Sequence, residues 1–539
     1  MTKTLEAAHL DAMHAGDIRG ALGTIRKHDT ASRKGLRAKL IAFAAIVGPG
    51  LIVMAGDNDA GAFSTYTQAS QNYGTTLLWT LLLLIPVLYV NQEMVLRLGA
   101  VTRVGHARLI LERFGKFWGA FSVIDLLLLN ALTIVTEFIG VSLALEYFGL
   151  PKLLGVVVAA GLTMAGAATG SFRRFERFAM LLAFGSLLLV PVLLMVHAPA
   201  GQSLHDFFVP GMPKGGDLGV VMLLIVGIVG TTVAPWQLFF QQSYVIDKRI
   251  TTRWLNYERW DLALGIVVVV FGAFAMFSFT AATFAGHREF GHFQDAGAVA
   301  AGIAHYVGWL PGDLFALALV DAAVIGAAAV SLSTAYAVGD VLSLNHSLHR
   351  KIGDAPVFYL VYAGLIAVAA AIVLIPGSPL GLLTNAVQVL AGVLLPSATV
   401  FLLLLSNDKP VLGPWVNTRR TNVFTGVVIA ALIMLSIVLT TATVFPEIST
   451  RQILWILAIG AVFTVFAGVW MAFAPPAASD VPSYDRSTRH QWQMPPLESL
   501  PPVRLTLLSR MWLIVLRVYL VVAVGLVVYR VAAIALRRG

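Results

Sequence analysis

Asp57 and Asp59 stand one residue apart in the run Gly56-Asp57-Asn58-Asp59-Ala60-Gly61, with apolar sequence on either side. Hydropathy alone draws one membrane span over about residues 40–70, and both acids fall in its middle. An intramembrane acid costs about 2.5–3.5 kcal/mol on insertion scales, so a functional role is its default reading. Non-helical backbone survives at that depth only where it lines a cavity or is buried in protein. A carboxylate at a helix break, beside unwound carbonyls, is the chemistry of a midplane ion site. Asp59 is the first candidate for a cation ligand, with the backbone of Gly56 supplying further oxygen. Asp57 either lines the same vestibule or caps a half-helix; its place in the sequence leaves both open.

A bundle of membrane helices must position these residues. The chain has 539 residues, 58% hydrophobic and 12% charged, against about 25% charged in soluble domains. Cysteine is absent, which excludes disulfides and thiolate metal sites. Runs long enough to span fall at about 40–70, 75–98, 117–147, 152–171, 177–197, 218–246, 260–285, 312–342, 356–376, 380–405, 421–446, 452–474 and 511–534, thirteen in all. Of 37 Lys and Arg residues, 29 lie before Leu40 or at connections following even-numbered runs. Only Lys152, Lys214, Arg288 and Arg451 follow the earlier odd-numbered runs. This asymmetry predicts a cytosolic N-terminus in a multi-pass protein of the cell membrane. It also reads the net charge of +9 as a topology signal, so nucleic acid is not an expected partner. The stretch 1–39 lacks an apolar core of signal-peptide length and reads as a cytosolic tail, one that lies along the membrane surface or hangs free. The last run is the exception. Arg517 falls inside it, so it either spans or lies along the cytosolic surface, beyond a linker at 475–510.

The sixth run echoes the first. Val226-Gly227-Ile228-Val229-Gly230-Thr231-Thr232-Val233-Ala234-Pro235-Trp236 interrupts an apolar stretch, and Pro235 removes a helical hydrogen bond. Glycine and proline are common in membrane helices, but these two breaks sit five spans apart and one carries acids. That spacing points to inverted repeats, with the site between them. Gln388 in the tenth span is a further polar candidate, with interhelical hydrogen bonding as its bland alternative. Glu137 and Asp321 are intramembrane acids without a basic partner on the same helix. Each is a pathway carboxylate or a hydrogen-bonded neutral acid. Trp236 is more often packing than function, though just after a break it can wall a site. The histidines fall mostly in the tail and loops, and no nucleophile and base can be paired, so neither an enzyme nor a bound cofactor is expected.

The chain resembles the natural-resistance-associated macrophage protein family of divalent-metal transporters over about residues 40–446. The resemblance rests on Gln92-Glu93 with Arg97-Leu98-Gly99-Ala100-Val101-Thr102, on Thr136-Glu137-Phe138-Ile139-Gly140, on Arg173-Arg174-Phe175-Glu176, and on Gln388 followed by Pro396. It implies an all-α, LeuT-type fold: two inverted five-helix repeats, about 40–197 and 218–405, with helices 1 and 6 broken. Additional membrane helices would occupy 406–474, and a hydrophobic helix 511–539. The implied metal set is Asp59, Gly56, Thr231, Ala234 and Gln388, lined by Asp57, Ala62, Trp236, Gln237 and Glu137.

Departures from the family pattern sharpen the expectation. The family's first-helix DPGN is here Asp59-Ala60-Gly61-Ala62, and its sixth-helix methionine-proline-histidine is Ala234-Pro235-Trp236. Ile134 stands where the family has an acid, and the ninth span has no arginine. This pattern looks like the NRAMP-related magnesium transporter branch. Thioethers favour softer ions, whereas Mg²⁺ dehydrates reluctantly and keeps waters, so two alanines suit a wide, all-oxygen site. The expected function is import of divalent cations, Mg²⁺ and also Mn²⁺, by alternating access without proton coupling. The rivals are proton-coupled Mn²⁺/Fe²⁺ symport and Na⁺-coupled transport of an organic solute. The divalent ion and the lipid bilayer are the expected partners; oligomeric state is open, and a monomer is plausible.

Overall fold

A computed structural model of the chain describes residues 10–376, 380–444 and 448–473, with parts of 489–521. The linker expected at 475–510 and the terminal helix expected at 511–539 lie largely outside the described residues. Helices follow in the order α1 (Leu36–Ile46), α2 (Pro49–Ala55), α3 (Ala60–Tyr73), α4 (Trp79–Thr102), α5 (His106–Phe114), α6 (Lys116–Tyr147), α7 (Lys152–Ala167), α8 (Phe172–Gly185), α9 (Leu189–Val196) and α10 (Ala200–Phe208). The second half holds α11 (Leu218–Thr232), α12 (Pro235–Asp247), α13 (Leu255–Phe284), α14 (Ala296–Tyr306), α15 (Trp309–Leu342), α16 (Pro356–Val373) and α17 (Leu380–Ser406). A short α18 (Lys409–Leu412) leads into α19 (Arg419–Val444) and α20 (Thr450–Phe473).

Among the described residues nine helices are long and apolar enough to cross a membrane, and the bent pair α1–α2 makes a tenth. Lys152–Ala167 and the 451–466 part of α20 are further apolar helices, α20 itself running over 24 residues. Two five-helix sets emerge. The first is α1–α3, α4, α6, α7 and α8–α9; the second is α11–α12, α13, α15, α16 and α17. The opening member of each set is broken. The core sits where the sets meet, with α15 packed along α6 and α13 along α2 and α3. The connections α5 and α14 are short helices that hydropathy did not reveal as elements.

The described part of the N-terminal tail, from Leu10, is built against the bundle. Ile18–Arg19 and Thr24–Ile25 pair as an antiparallel hairpin, Ile18 opposite Ile25. Arg173 Nε donates to the Gly20 carbonyl at 3.0 Å and Arg177 Nε to that of Ala21 at 3.0 Å. Asp11 takes a two-pronged bond from Arg350, at 2.7 and 2.9 Å. Sequence reading missed this docking because Arg173, Arg177 and Arg350 belong to elements far along the chain from the tail they hold.

Candidate cation site at the broken helices

The first broken helix is interrupted twice. Between α1 and α2 the axis turns by 54° at Val47–Gly48. Gly48 holds φ +152°, and a Cβ there would stand 2.5 Å from Glu176 Oε1, so only glycine fits. Pro49 starts α2, where its missing N–H costs nothing. Asp261 on α13 accepts from Gly48 N at 3.1 Å, Gly50 N at 2.7 Å and Leu51 N at 3.3 Å. Lys248, just past α12, donates through Nζ to the carbonyls of Ile46 (2.5 Å) and Val47 (2.9 Å) and to Glu176 Oε1 (2.6 Å). An anion thus caps the start of one half and a cation the end of the other, as helix dipoles favour. Gly48-Pro49-Gly50 carried this hinge in the sequence, but the acids downstream drew the reading past it.

The second interruption spans Gly56 to Asp59. Asp59 caps α3, its Oδ1 accepting from Ala62 N at 2.8 Å. Glu137 of α6 supports the same helix start, Oε2 accepting from Ala60 N at 3.0 Å, and its carboxyl contacts that of Asp59. Both acids lie against Gly326 of α15, where a Cβ would stand 2.8 Å from Glu137 Oε2 and 3.0 Å from Asp59 Cβ. Asn58 turns away and donates to the Val269 carbonyl at 3.0 Å.

The partner break lies at Val233–Ala234, between α11 and α12. Trp236 is buried and walls the first break, its ring edge 3.5 Å from where a Gly56 Cβ would stand. Gln388 of α17 overlies Gly61: a Cβ there would sit 1.7 Å from its Nε2 and 3.1 Å from Asp59 Oδ1. Tyr66 OH and Thr232 Oγ1 join α3 to α11 at 2.7 Å. The last carbonyls of α2 and α11 and the first N–H groups of α3 and α12 have no intrahelical partners. A cation is therefore drawn to the carbonyl ends.

Five buried polar atoms at the breaks have no hydrogen-bond partner among the described residues: Asp57 Oδ2, Asn58 Oδ1, Glu137 Oε1, Thr231 Oγ1 and Gln388 Nε2. They come from four segments, and Glu137 and Gln388 lie beside Asp59, whose exposure is 3%. No three His, Asp or Glu side chains among the described residues are grouped to hold a metal by themselves. An ion here needs a mixed set, with carboxylate, hydroxyl, amide and backbone oxygen. A cavity of about 80 Å³, enough for a few waters, opens between α3, α11 and α17 with Gln388 among its walls. A smaller cavity of about 10 Å³ lies beside Asp125, Ser397 and Pro235.

The structure places Glu137, Gln388 and the Ala62 N–H beside Asp59, Trp236 against Gly56 and Gln237 against Asp57; Thr231 and Ala234 lie at the facing ends of α11 and α12. Asp57 caps neither half-helix, since Asp59 caps α3 and Asp261 caps α2. Asp321 faces elsewhere, its Oδ2 2.0 Å from where a Gly185 Cβ would stand. Sequence reading missed Gln92, Tyr66 and Thr232. Its view of the histidines also changes: His14 and His346 meet edge to face at 5.1 Å, His346 lies 3.0 Å from Asp340, and His14 lies 3.8 Å from Asp247.

Two inverted five-helix sets, each opening with a broken helix and meeting at a polar midpoint, define the LeuT-type transporter fold. Residues 50–442 match the Nramp family, described as natural resistance-associated macrophage protein-like. The chain belongs to that family. The divalent metal cation transporter MntH of Klebsiella pneumoniae is 24% identical over 76% of this chain and 95% of its own length. MntH of Ralstonia nicotianae is 29% identical over 71% and 87%. The manganese transporter of Eremococcus coleocola superposes with TM-score 0.63 at 21% identity, over 84% of this chain and 96% of that one. A Na⁺-coupled sialic acid symporter in a substrate-bound outward-open state shares the fold at TM-score 0.51 and 15% identity, over 80% and 91%.

Proposed function

We propose that this chain carries divalent cations across the cell membrane by alternating access, preferring Mg²⁺ and tolerating Mn²⁺, with its tail side in the cytosol. Family membership and the relatives' metal chemistry support a divalent cargo. The single observation that carries the site is the cluster of unpartnered buried polar atoms around Asp59 at the two breaks. Hardness supports Mg²⁺: Ala234 and Ala62 stand where the family pattern has methionine and asparagine, so every side-chain donor here is oxygen or amide. The lost side-chain volume leaves room for waters that Mg²⁺ retains. A cell-negative potential contributes about 2.3 kcal/mol per charge per 100 mV, or roughly twice that for a divalent ion, so influx needs no proton.

One observation favours a second reading, proton-coupled Mn²⁺/Fe²⁺ symport. Glu137 touches Asp59, and a carboxyl pair at the ion is something a proton route can use. Proteoliposomes at a set potential, with metal and pH dyes inside, separate the two. The first reading expects Mg²⁺ entry without stoichiometric acidification. Acidification in step with Mn²⁺ entry, and no Mg²⁺ entry, overturns it.

A further inference from the structure

We propose that Asp57 is a second anionic ligand of the transported cation, held in place by two glutamines from α4 and α12. The proposal rests on the functional reading above and goes beyond Asp59 as the one carboxylate ligand.

Asp57 is fully buried, yet it does none of the ordinary work of a buried acid. It caps no helix and faces no cation among the described residues. Among the described residues its one hydrogen-bond partner is Gln237 Nε2, which donates to Oδ1. Gln237 is positioned in turn by Gln92, whose Nε2 donates to Gln237 Oε1 at 2.9 Å. Both glutamines are 0% exposed. Gln237 Nε2 also reaches the Thr232 carbonyl at 3.4 Å, so the relay holds Asp57 against the second break. Oδ2 remains without a partner. A ligand that supplies positive charge gives that oxygen a partner and balances the buried carboxylate.

Charge balance points the same way. A divalent ion met by Asp59 alone leaves one positive charge uncompensated in a buried site; Glu137 is already engaged by the Ala60 N–H and by Asp59, and Asp57 offers the second charge. A second carboxylate also strengthens preference for hard ions. Asp57 then contributes to selectivity, and Gln237 and Gln92 are positioning residues whose loss weakens metal binding as outer-shell losses do, by about 10–100-fold.

The test is calorimetric titration of MgCl₂ and MnCl₂ into the full-length detergent-purified protein, with thermal unfolding alongside. Asp57→Asn keeps the shape and the acceptor for Gln237 but removes the charge. Mg²⁺ affinity is expected to fall at least about tenfold, Mn²⁺ affinity less, and Asp57→Glu to recover part of the loss. Gln237→Ala leaves the charge and frees the carboxylate, so it should lower the Mg²⁺-to-Mn²⁺ affinity ratio while the protein stays folded. If Asp57→Asn binds Mg²⁺ within threefold of wild type while Asp59→Ala does not bind, Asp57 is no ligand and the functional reading stands. If Asp59→Ala still binds, the functional reading itself falls. Should Asp57→Asn fail to fold, Gln237→Ala decides, and an unchanged affinity ratio in that variant overturns the proposal.

Discussion

Replacing Lys248 with methionine should unfasten the hinge between α1 and α2. Lys248 and Glu176 both have side chains with 0% exposure, at 2.6 Å from one another. Removing one partner of such a buried pair typically costs about 3–5 kcal/mol, because the other charge is left uncompensated. The same ammonium also satisfies the Ile46 and Val47 carbonyls, each worth about 1–3 kcal/mol when orphaned in the interior. These losses overlap, so the expected total is about 5 kcal/mol. Removing both charges with Lys248→Met and Glu176→Gln should cost clearly less than the single change. Two assays read this. Thermal unfolding in detergent ranks the single and double variants. Because the native chain has no cysteine, a lone cysteine at buried Ala42 reports movement of α1 through maleimide labelling. Lys248→Met should lower the melting temperature most and speed labelling. A single variant that melts like wild type and labels no faster would refute the latch.

Three further outcomes follow from the same geometry. Gly61→Ala places a Cβ 1.7 Å from Gln388 Nε2, and the amide is the free end of a flexible side chain. Transport should fall at least about tenfold with little change in melting temperature, measured by flux and thermal unfolding. Ala234→Met with Ala62→Asn should strengthen Mn²⁺ binding and weaken Mg²⁺ flux, since a thioether offers Mg²⁺ nothing; an unchanged ratio by calorimetry places selectivity elsewhere. Tail docking should depend on pH with an optimum near 6.5, read by anisotropy of a dye on a cysteine replacing exposed Leu22. Burial holds His14 down to about 4, so its contribution is present above 6.5 and lost as pH falls toward 4. His346 is buried too, but the hydrogen bond and charge of Asp340 raise it to about 8. Its contribution, about 2 kcal/mol, is full below 6.5 and lost as pH rises through 8. Asp11, Asp247, Arg249, His349 and Arg350 complete the charged surroundings. Flat anisotropy between pH 5 and 9 would exclude this coupling.

The acids at Asp57 and Asp59 and the glycine-proline pattern at 226–236 made both breaks legible, because charge and unwound backbone are too costly inside an apolar run to persist without a task. Gln388 and Glu137 were legible as intramembrane polar residues, and their place beside Asp59 was implied by the family resemblance. What the sequence hid depends on distance along the chain. Asp261 caps α2 from α13, in the other five-helix set, and nothing near Asp261 announces that task. Lys248 reads as an ordinary positive residue at a helix end until the carbonyls of Ile46 and Val47 are placed against it. The tail's short hairpin has strands of two residues, too short for periodicity to register.

The central claim is that the cargo ion sits between the two breaks with Asp59 as ligand. A crystal of the full-length protein soaked in Mn²⁺ and measured at the manganese absorption edge tests it most directly. The account predicts one strong anomalous peak between α2–α3 and α11–α12, within direct or one-water reach of the Asp59 carboxylate, and none there in Asp59→Ala. A peak elsewhere in the bundle, or an unchanged peak in Asp59→Ala, would contradict it.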